Sequence, residues 1–351
     1  MSASITIALD VMGGDQAPRM VLKGADRALK RYPHVNFLLF GDEGKITPLI
    51  GKMHRLARRS TIQHTSELVT NDAKPSMALR TGRRSSMRLA IDAVAEGKAQ
   101  CVVSAGNTGA LMAMAKFALK MLPGIDRPAI ASFFPTLRGE SVMLDLGANV
   151  ECDADNLVQF ALMGDAFART VLGLTQPTVG LLNVGSEDLK GNDAVRAAAA
   201  KLRTGGMPVK FHGFIEGNDI ASGAVDVVVT DGFTGNIALK TAEGTARMFG
   251  EFLRAAFKHS LLARIGYLFA VDALKKMRER MDPRRYNGAM LLGLNGIVVK
   301  SHGGADALGF ANAIGVAVDM QVNGFVDQIR DELAKLSALT SSPSTPQTAA
   351  L

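Results

Sequence analysis

Short apolar runs alternate along this chain with longer segments of helical periodicity, and glycine or small polar residues separate them. Runs of about four to eight residues rich in Val, Ile, Leu and Phe are typical of buried strands. The predicted strands are Ile5–Asp10, Val35–Gly41, Ser60–Thr65, Cys101–Val103, Ser141–Asp145, Thr178–Asn183, Lys210–Ile215, Val225–Val229 and one more within Asn287–Ser301. Because helical segments lie between them, we expect a three-layer α/β/α, Rossmann-like fold with a mostly parallel sheet.

The segment Val225–Lys240 shows the construction around which the chain is organised. A valine-rich strand leads into the glycine turn Thr230–Gly235, and Asn236 begins a helical pattern. This order places backbone N–H groups and the positive end of a helix dipole at the carboxyl edge of a sheet, where α/β proteins bind anions. Many glycine turns only make a tight corner. The same construction recurs at Cys101–Ala110 and Ser141–Asn149, and the repetition favours an anion site.

The helix predicted over Leu79–Ala95 bears a row of arginines. Arg80, Arg84 and Arg88 are spaced four residues apart, so they share one face if the segment is a single helix. Two interpretations stay open with equal weight: a solvated basic stripe, or a docking surface for an acidic carrier protein.

A long helical region is predicted over Ala242–Met281, with a light interruption at Gly266. Its second part, Leu261–Met281, alternates apolar and basic positions, as an amphipathic basic helix does. The apolar set is Leu261, Leu262, Ile265, Leu268, Phe269 and Leu274, and the basic set is Arg264, Lys275, Lys276, Arg278 and Arg280. Two interpretations of this helix stay open. It packs in a core or a dimer seam, which we slightly favour, or it is a surface helix that touches anionic lipid.

Glycine and proline are spread through the chain, which favours one α/β domain over residues 1–336 with projecting amphipathic helices at 242–285. The last predicted helix covers Ala311–Leu336. The tail at 337–351 is rich in Ser, Thr, Pro and Ala, so we expect disorder there.

Composition narrows the classes of partner. The 351 residues include 5% aromatic side chains and no Trp, so base-stacking surfaces for nucleic acid are not expected. The formal net charge of +7 favours an acidic partner or an anionic surface. Two cysteines, no signal-peptide pattern and no long apolar stretch indicate a cytoplasmic protein without a membrane span.

The familiar catalytic motifs are missing from the sequence. There is no G-x-x-x-x-G-K-[ST], no G-x-S-x-G, no G-x-G-x-x-G in the first βα unit, and no HExxH or CxxC cluster. We therefore expect neither a metal nor an organic cofactor. What remains is a set of polar residues at strand ends, which supplies hydrogen-bond donors and one lysine: Asp10, Asp15, Asn107, Thr108, Asp145, Asn149, Asn183, Lys190, Asn218, Asp231, Asn236 and His302. Such a set suits the binding of phosphate and the stabilisation of an oxyanion, although Asn and Asp are also common turn residues.

Six segments together resemble the phosphate acyltransferase (PlsX) family. They are LDVMGGDQAP (Leu9–Pro18), SAGNTGA (Ser104–Ala110), LDLGAN (Leu144–Asn149), VGLLNVGSEDLKGN (Val179–Asn192), TDGFTGN (Thr230–Asn236) and LLGLNGIVVKSHGGAD (Leu291–Asp306). The resemblance covers roughly residues 5–335, in the right order. Each motif alone is weak, and the combination is highly specific.

The resemblance implies transfer of a long-chain acyl group from acyl carrier protein to inorganic phosphate, which feeds bacterial phospholipid synthesis. It also implies a homodimer related in fold to isocitrate and isopropylmalate dehydrogenases and to phosphotransacetylase. Peripheral association with an anionic membrane is implied as well, together with a membrane acyl-phosphate:glycerol-3-phosphate acyltransferase as partner.

The family's proposed catalytic lysine and asparagine fall on Lys190 and Asn236. Lys190 would offset phosphate charge, and Asn236, taken to lie at a helix start, would donate to the oxyanion. The other residues expected to bind phosphate or the thioester are Asn107, Thr108, Gly109, Asp145, Asn149, Asn183, Asp231, Gly235 and His302. Asp231 and His302 are the weaker candidates and could act by orienting other groups.

Two functions of other classes stay open from the sequence. A dehydrogenase on a related fold would bind a reduced nicotinamide cofactor. A non-catalytic scaffold would bind carrier protein and membrane without releasing thiol. The residues also do not distinguish carrier protein from coenzyme A as acyl donor, nor fix the acyl chain length.

Overall fold

A computed structural model describes residues 4–204, 207–280, 284, 286–331 and 333 of the chain, without the side chains of 278–280. One eleven-stranded sheet runs through these residues. Its strands are β1 (Thr6–Asp10), β2 (Asn36–Gly41), β3 (Ser60–His64), β4 (Cys101–Ser104), β5 (Ala129–Thr136), β6 (Gly139–Leu144), β7 (Thr178–Leu182), β8 (Lys210–Ile215), β9 (Val227–Val229), β10 (Ala289–Leu292) and β11 (Ile297–Lys300).

Helices connect most of the strands. They are α1 (Arg19–Arg31), α2 (Glu43–Ile50), α3 (His54–Ala57), α4 (Pro75–Thr81), α5 (Ser86–Ala95), α6 (Thr108–Leu119), α7 (Ala154–Leu172), α8 (Asp193–Arg203), α9 (Gly217–Ser222), α10 (Gly232–Lys258), α11 (Leu261–Arg280) and α12 (Ala307–Val322). Alternate residues of β1 belong to two separate apolar clusters, Ile7 and Leu9 to one and Ala8 to the other. Each face of the sheet therefore has its own helical layer, and the predicted α/β/α fold is confirmed.

The strand order is β3-β2-β1-β4-β11-β10-β5-β6-β9-β7-β8. Most neighbouring strands are parallel, but β10 is antiparallel to both β11 and β5, and β5 is antiparallel to β6. Consequently β6, β9, β7 and β8 run opposite to β1 through β4 and β11. The sheet consists of two parallel halves of opposite direction that meet at β10 and β5.

The helix predicted over Leu79–Ala95 is wrong as a single element, because α4 ends at Thr81 and α5 begins at Ser86. Gly82 follows the end of α4, and the hydroxyl of Ser85 accepts a hydrogen bond from the backbone N–H of Arg88, which caps α5. The predicted common face of Arg80, Arg84 and Arg88 is therefore absent. Arg84 lies in the turn, and Arg88 pairs with Asp92 at 2.8 Å.

The break in the long helical region lies at His259–Ser260 and not at the predicted Gly266. The Ser260 hydroxyl accepts from the backbone N–H of Ala263 at 3.1 Å, so serine starts a new helix while Gly266 stays inside it. The predicted position of Asn236 at a helix start is wrong as well. Helix α10 begins earlier, at Gly232.

The predicted C-terminal helix Ala311–Leu336 also differs from the structure. Helix α12 begins at Ala307, because Asp306 accepts from two backbone N–H groups there, and it ends at Val322 before Gly324, whose φ is +63°. Strand β5 and helix α7 have no counterpart among the predicted elements, and the single strand expected within Asn287–Ser301 is the pair β10 and β11. The tail at 337–351 and residue Met281 lie outside the described residues.

Helix α11 keeps its apolar positions in contact with solvent. The side chains of Leu261, Leu262, Ile265, Leu268 and Phe269 are 52–87% exposed, so packing in this chain's own core is excluded for them. Within the described residues, no helix is long and apolar enough to span a membrane.

Candidate active site

A cavity of about 2170 Å³ lies along the sheet at β5, where the two halves meet. The polar strand ends do not share one edge, because the strands of the two halves end at opposite edges of the sheet. The cavity nevertheless brings residues of both halves together across the sheet face. Its lining includes Thr108, Lys300, His302 and Asp306 from the first half, and Gly147 and Asn236 from the second.

Buried Asp10 organises the end of the first half. Its carboxylate accepts hydrogen bonds from the hydroxyls of Ser86 and Ser104, each at 2.6 Å. Burial raises the pKa of Asp10, and these donors oppose the rise. A Cβ at Gly13 would lie 2.4 Å from this carboxylate, so the close approach of the turn requires glycine.

Asn107 caps helix α6. Its Oδ1 accepts from the backbone N–H of Ala110 at 2.9 Å, while its Nδ2 donates to the carbonyls of Asn71 and Ala73. The amide group is thus already used within the protein. Its contact with phosphate stays a prediction.

Thr108 and Gly109 form the first turn of α6 beside the cavity. Thr108 is exposed and lines the cavity. A Cβ at Gly109 would lie 2.7 Å from the ring of Pro75, so glycine lets α6 pack against α4. Thr108 thus places the N-terminus of α6 beside the cavity, and the first N–H groups of a helix, which have no partner within the helix, are of the kind that bind anions.

Lys300, the last residue of β11, is a site residue that the sequence analysis missed. Burial lowers the pKa of its ammonium to about 8, against the attraction of the Asp10 and Asp15 carboxylates. Its Nζ donates to the Ser301 carbonyl, and no carboxylate of the described residues pairs with it. A lysine directly after the apolar run Ile297–Val299 is the sequence signal that could have found it.

His302 follows Lys300 and is exposed to the cavity. Its Nδ1 accepts from the backbone N–H of Gly304 at 3.0 Å, which orients the ring. The backbone N–H of His302 donates to the side chain of Asn287 at 2.8 Å. The orienting role of His302 stays a prediction.

Buried Asp145 organises the loop after β6. Its carboxylate accepts from the backbone N–H groups of Ile130, Ala148 and Asn149 at 2.9, 3.0 and 2.7 Å, and from the Asn149 side chain at 2.9 Å. Burial raises the pKa of Asp145 against these donors. Asp145 and Asn149 thus shape the loop from inside, and their contact with substrate stays a prediction.

Helix α10 begins directly against that loop. Asp231 caps the helix, since its carboxylate accepts from the backbone N–H and the hydroxyl of Thr234 at 2.8 and 2.9 Å. A Cβ at Gly235 would lie only 1.9 Å from the carbonyl oxygen of Asp145. Glycine is therefore required for α10 to approach the loop, which gives Gly235 a structural role.

Asn236 lies in the second turn of α10 and is exposed to the cavity. Its Cβ is 3.6 Å from the position that a Cβ on Gly147 would take. Among the described residues, none forms a hydrogen bond with the Asn236 amide. That amide is free to donate to a bound substrate.

Lys190 lies in the loop between β7 and α8, and it is exposed. Asn183 holds this loop by donating from Nδ2 to the Lys190 carbonyl at 3.2 Å, and Gly191 turns it with a φ of +92°. Lys190 is not among the described residues that line the cavity. The expectation of a single lysine at the site is wrong, because Lys300 lines the cavity.

The remainder of the cavity is largely apolar and extends along α10 and α11. Its apolar lining includes Phe134, Phe249, Leu253, Phe257, Tyr267 and Val271. Basic residues of the same helices also line it: Arg247, Arg254, Lys258, Arg264 and Lys275. Among the described residues, no cluster of three or more His, Cys, Asp and Glu side chains could hold a metal ion.

Solved structures define the class of fold. A phosphotransacetylase from Streptococcus pyogenes matches with a TM-score of 0.64 and 17% identity, over 92% of this chain and 95% of that one. A branched-chain phosphotransacylase from Enterococcus faecalis V583 matches with a TM-score of 0.58 and 15% identity, over 90% and 98% of the two chains. The architecture is thus an α/β fold shared with phosphotransacylases.

Sequence comparison identifies the family. Residues 5–328 match the family described as "Fatty acid synthesis protein". A relative named "Phosphate acyltransferase" from Rhodospirillum centenum is 69% identical, over 96% of this chain and 95% of its own length. Another of that name, from Paramagnetospirillum magneticum, is 61% identical over 98% of both chains. The chain belongs to this phosphate acyltransferase family, whose members are transferases, and the resemblance seen in the sequence is confirmed.

Proposed function

We propose that this protein transfers a fatty acyl group from acyl carrier protein to inorganic phosphate, for bacterial phospholipid synthesis. The products are acyl phosphate and the free carrier. One observation is central: a single cavity combines an anion-binding end, with the α6 N-terminus and Lys300, and a long apolar part between β5, α10 and α11. The first suits phosphate, and the second suits an acyl chain.

The free amide of Asn236 supports an oxyanion role. A phosphate oxygen attacks the thioester carbonyl carbon, which develops negative charge on the carbonyl oxygen, and the amide N–H of Asn236 donates to that oxygen. Lys190 offsets phosphate charge as a compact cation. In this proposal the loop holding Lys190 moves toward the cavity when substrate binds, since Lys190 lies outside the cavity lining.

The proposal is tested by incubating the purified protein with acyl carrier protein that bears a fatty acyl thioester, with and without phosphate. Free thiol and acyl phosphate are both scored. We expect equal amounts of the two products, and neither product without phosphate. Thiol release without phosphate would indicate a thioesterase, and no release at all would indicate a scaffold. Acyl coenzyme A, assayed in parallel, identifies the preferred donor.

We also propose that Arg80 and Arg84 help to dock the acidic carrier. Both are exposed, whereas Arg88 is engaged with Asp92 and is not included. Reversing both charges should raise KM for the acyl carrier, more so at low salt, because exposed charges are screened beyond a Debye length of about 8–10 Å. An equal loss of activity on a small acyl thioester, which needs no carrier docking, would contradict a docking role.

We further propose a homodimer in the cytoplasm that binds anionic membranes peripherally and passes acyl phosphate to a membrane acyl-phosphate:glycerol-3-phosphate acyltransferase. The exposed apolar side chains of α11 support this, because water is an unfavourable environment for them. Leu268→Glu, examined by vesicle flotation and by sedimentation, distinguishes a membrane contact of α11 from a dimer contact. Loss of vesicle binding supports a membrane face, and loss of the dimer supports a seam. An unchanged result in both assays would contradict either role.

A further inference from the structure

The C-terminal ends of three strands bring Lys300, Ser104 and Asp10 into a row. Lys300 of β11 pairs in register with Ser104 of β4, which in turn pairs with Asp10 of β1. Lys300 also lines the cavity that contains Thr108 and Asn236. The sheet thus places a cationic side chain in the cavity lining.

The ammonium of Lys300 has hydrogen-bonding capacity to spare. An ammonium has three donors, and the one hydrogen bond described here is to the Ser301 carbonyl. Asp10 is close enough to attract the charge, but its two carboxylate oxygens already accept from Ser86 and Ser104. A buried lysine without a paired carboxylate is costly, which favours a functional reason for its presence.

The charged and titratable groups around Lys300 come from several elements. Asp10 ends β1, and Asp15 lies in the following turn, where it accepts from the side chain of Asn71 at 3.0 Å. His302 follows β11. Asp306, which caps α12, pairs with Arg284 at 3.1 Å. Burial lowers the pKa of Lys300, and the negative charges of Asp10 and Asp15 oppose that decrease.

We infer that Lys300 is a catalytic residue that moves a proton from the attacking phosphate to the departing thiolate, within the reaction proposed above. The phosphate oxygen forms a C–O bond as the C–S bond breaks. The thiolate takes a proton from the Lys300 ammonium, and the resulting amine takes the proton of the phosphate hydroxyl. Thioester and HPO₄²⁻ thus give acyl phosphate and thiol, and Lys300 is again an ammonium. Desolvation brings its pKa to about 8, close to that of a thiol at about 8.5, as proton transfer requires.

The test compares acyl donors whose leaving groups differ in their need for a proton. The thioester of the carrier protein releases an alkyl thiolate. A thiophenol ester of the same acyl chain releases an aryl thiolate, which is stable without protonation. Lys300→Met should lower kcat/KM at least about 100-fold with the carrier thioester, and less than about 10-fold with the aryl thioester. Lys116→Met is the matched control, since Lys116 also donates to a carbonyl, that of Asp126, but lies outside the cavity lining.

A pH profile gives a second readout. Wild-type kcat/KM with the carrier thioester should fall above about pH 8 as Lys300 loses its proton. Lys300→Arg should be slow and lack that alkaline limb, because a guanidinium stays protonated. This readout decides the matter if Lys300→Met fails to fold.

Equal losses on the two donors, wild-type activity in Lys300→Met, or an unchanged alkaline limb in Lys300→Arg would each overturn the inference. A wild-type enzyme that forms no acyl phosphate would instead overturn the proposed function. The two failures are therefore distinguishable.

Discussion

Replacing Lys300 by methionine should stabilise the protein while it lowers activity with the carrier thioester. Burial lowers the pKa of Lys300 from its ordinary 10.5 to about 8 in the folded protein. Each pKa unit corresponds to about 1.4 kcal/mol, so keeping the ammonium buried costs about 3 kcal/mol at neutral pH. Methionine has a similar length and no charge. We therefore expect the free energy of unfolding at pH 7 to rise by about 2–3 kcal/mol in Lys300→Met.

The sign of the pH dependence follows from proton binding. Between pH 8 and 10.5 the unfolded chain retains the Lys300 proton that the folded chain has released. Wild-type stability therefore gains from this group as pH rises through that window, and the penalty is fully present below pH 8. The methionine variant lacks this term. Its advantage over wild type should shrink between pH 7 and pH 10.

Urea unfolding of both proteins at pH 7 and pH 10, at one fixed protein concentration, measures this difference. Lys116→Met is the control, and because Lys116 is exposed we expect a change within about 0.5 kcal/mol at either pH. A Lys300→Met variant that is less stable than wild type at pH 7 would refute the reasoning. So would an advantage that stays constant with pH.

Substitutions at Lys190, Asn236 and Gly235 test the site further, with Gly244 as a control for Gly235. Lys190→Ala should lose most phosphate-dependent turnover with the fold intact, and Lys190→Arg should restore little because the guanidinium differs in shape; near-native kcat in Lys190→Ala would remove it from the mechanism. Asn236→Ala should lower kcat about 10²–10³-fold, and a change in KM alone would assign Asn236 to substrate binding instead. Gly235→Ala should destabilise the protein by about 3 kcal/mol or more in urea unfolding, because its Cβ would lie 1.9 Å from a carbonyl oxygen. Gly244→Ala has open space around it and should be neutral or stabilising by up to about 1 kcal/mol, so similar effects of both substitutions would contradict this account.

Much of the fold could be predicted from local pattern. The runs Val35–Gly41 and Lys210–Ile215 match strands β2 and β8 closely, because each strand buries apolar side chains, such as Leu39 of β2 and Phe214 of β8. Strand direction could not be predicted this way. β5 and β10, which reverse the direction of the sheet, differ from the parallel strands in how they pair and not in composition.

Helix boundaries were predictable only where a cap stood out. Asp42, directly after the apolar run Val35–Gly41, caps α2, whereas the Ser85 cap lies inside the arginine row and made two helices look like one. Spacing alone placed Arg80 and Arg88 on one face. The structure shows that a capping hydroxyl outweighs that regular spacing.

Sequence motifs predicted several residues that lie in or beside the cavity, but they did not predict what each residue contacts. The glycine turns and Asn236 do line the cavity or pack beside it. Asp145 proved to be buried and hydrogen-bonded to its own loop, because a carboxylate at a strand end can serve backbone N–H groups as readily as a ligand. Lys300 was missed because its burial, which lowers its pKa to about 8, depends on residues distant in the sequence.

The central claim is that inorganic phosphate attacks the acyl thioester. The most direct test incubates the wild-type protein with fatty-acylated carrier protein and with phosphate that is labelled with ¹⁸O at all four oxygens. The products are analysed by mass spectrometry. The account predicts acyl phosphate that retains all four labelled oxygens, formed in step with free carrier thiol. Unlabelled fatty acid as the first product, with the labelled phosphate unchanged, would show that water is the nucleophile and would contradict the account.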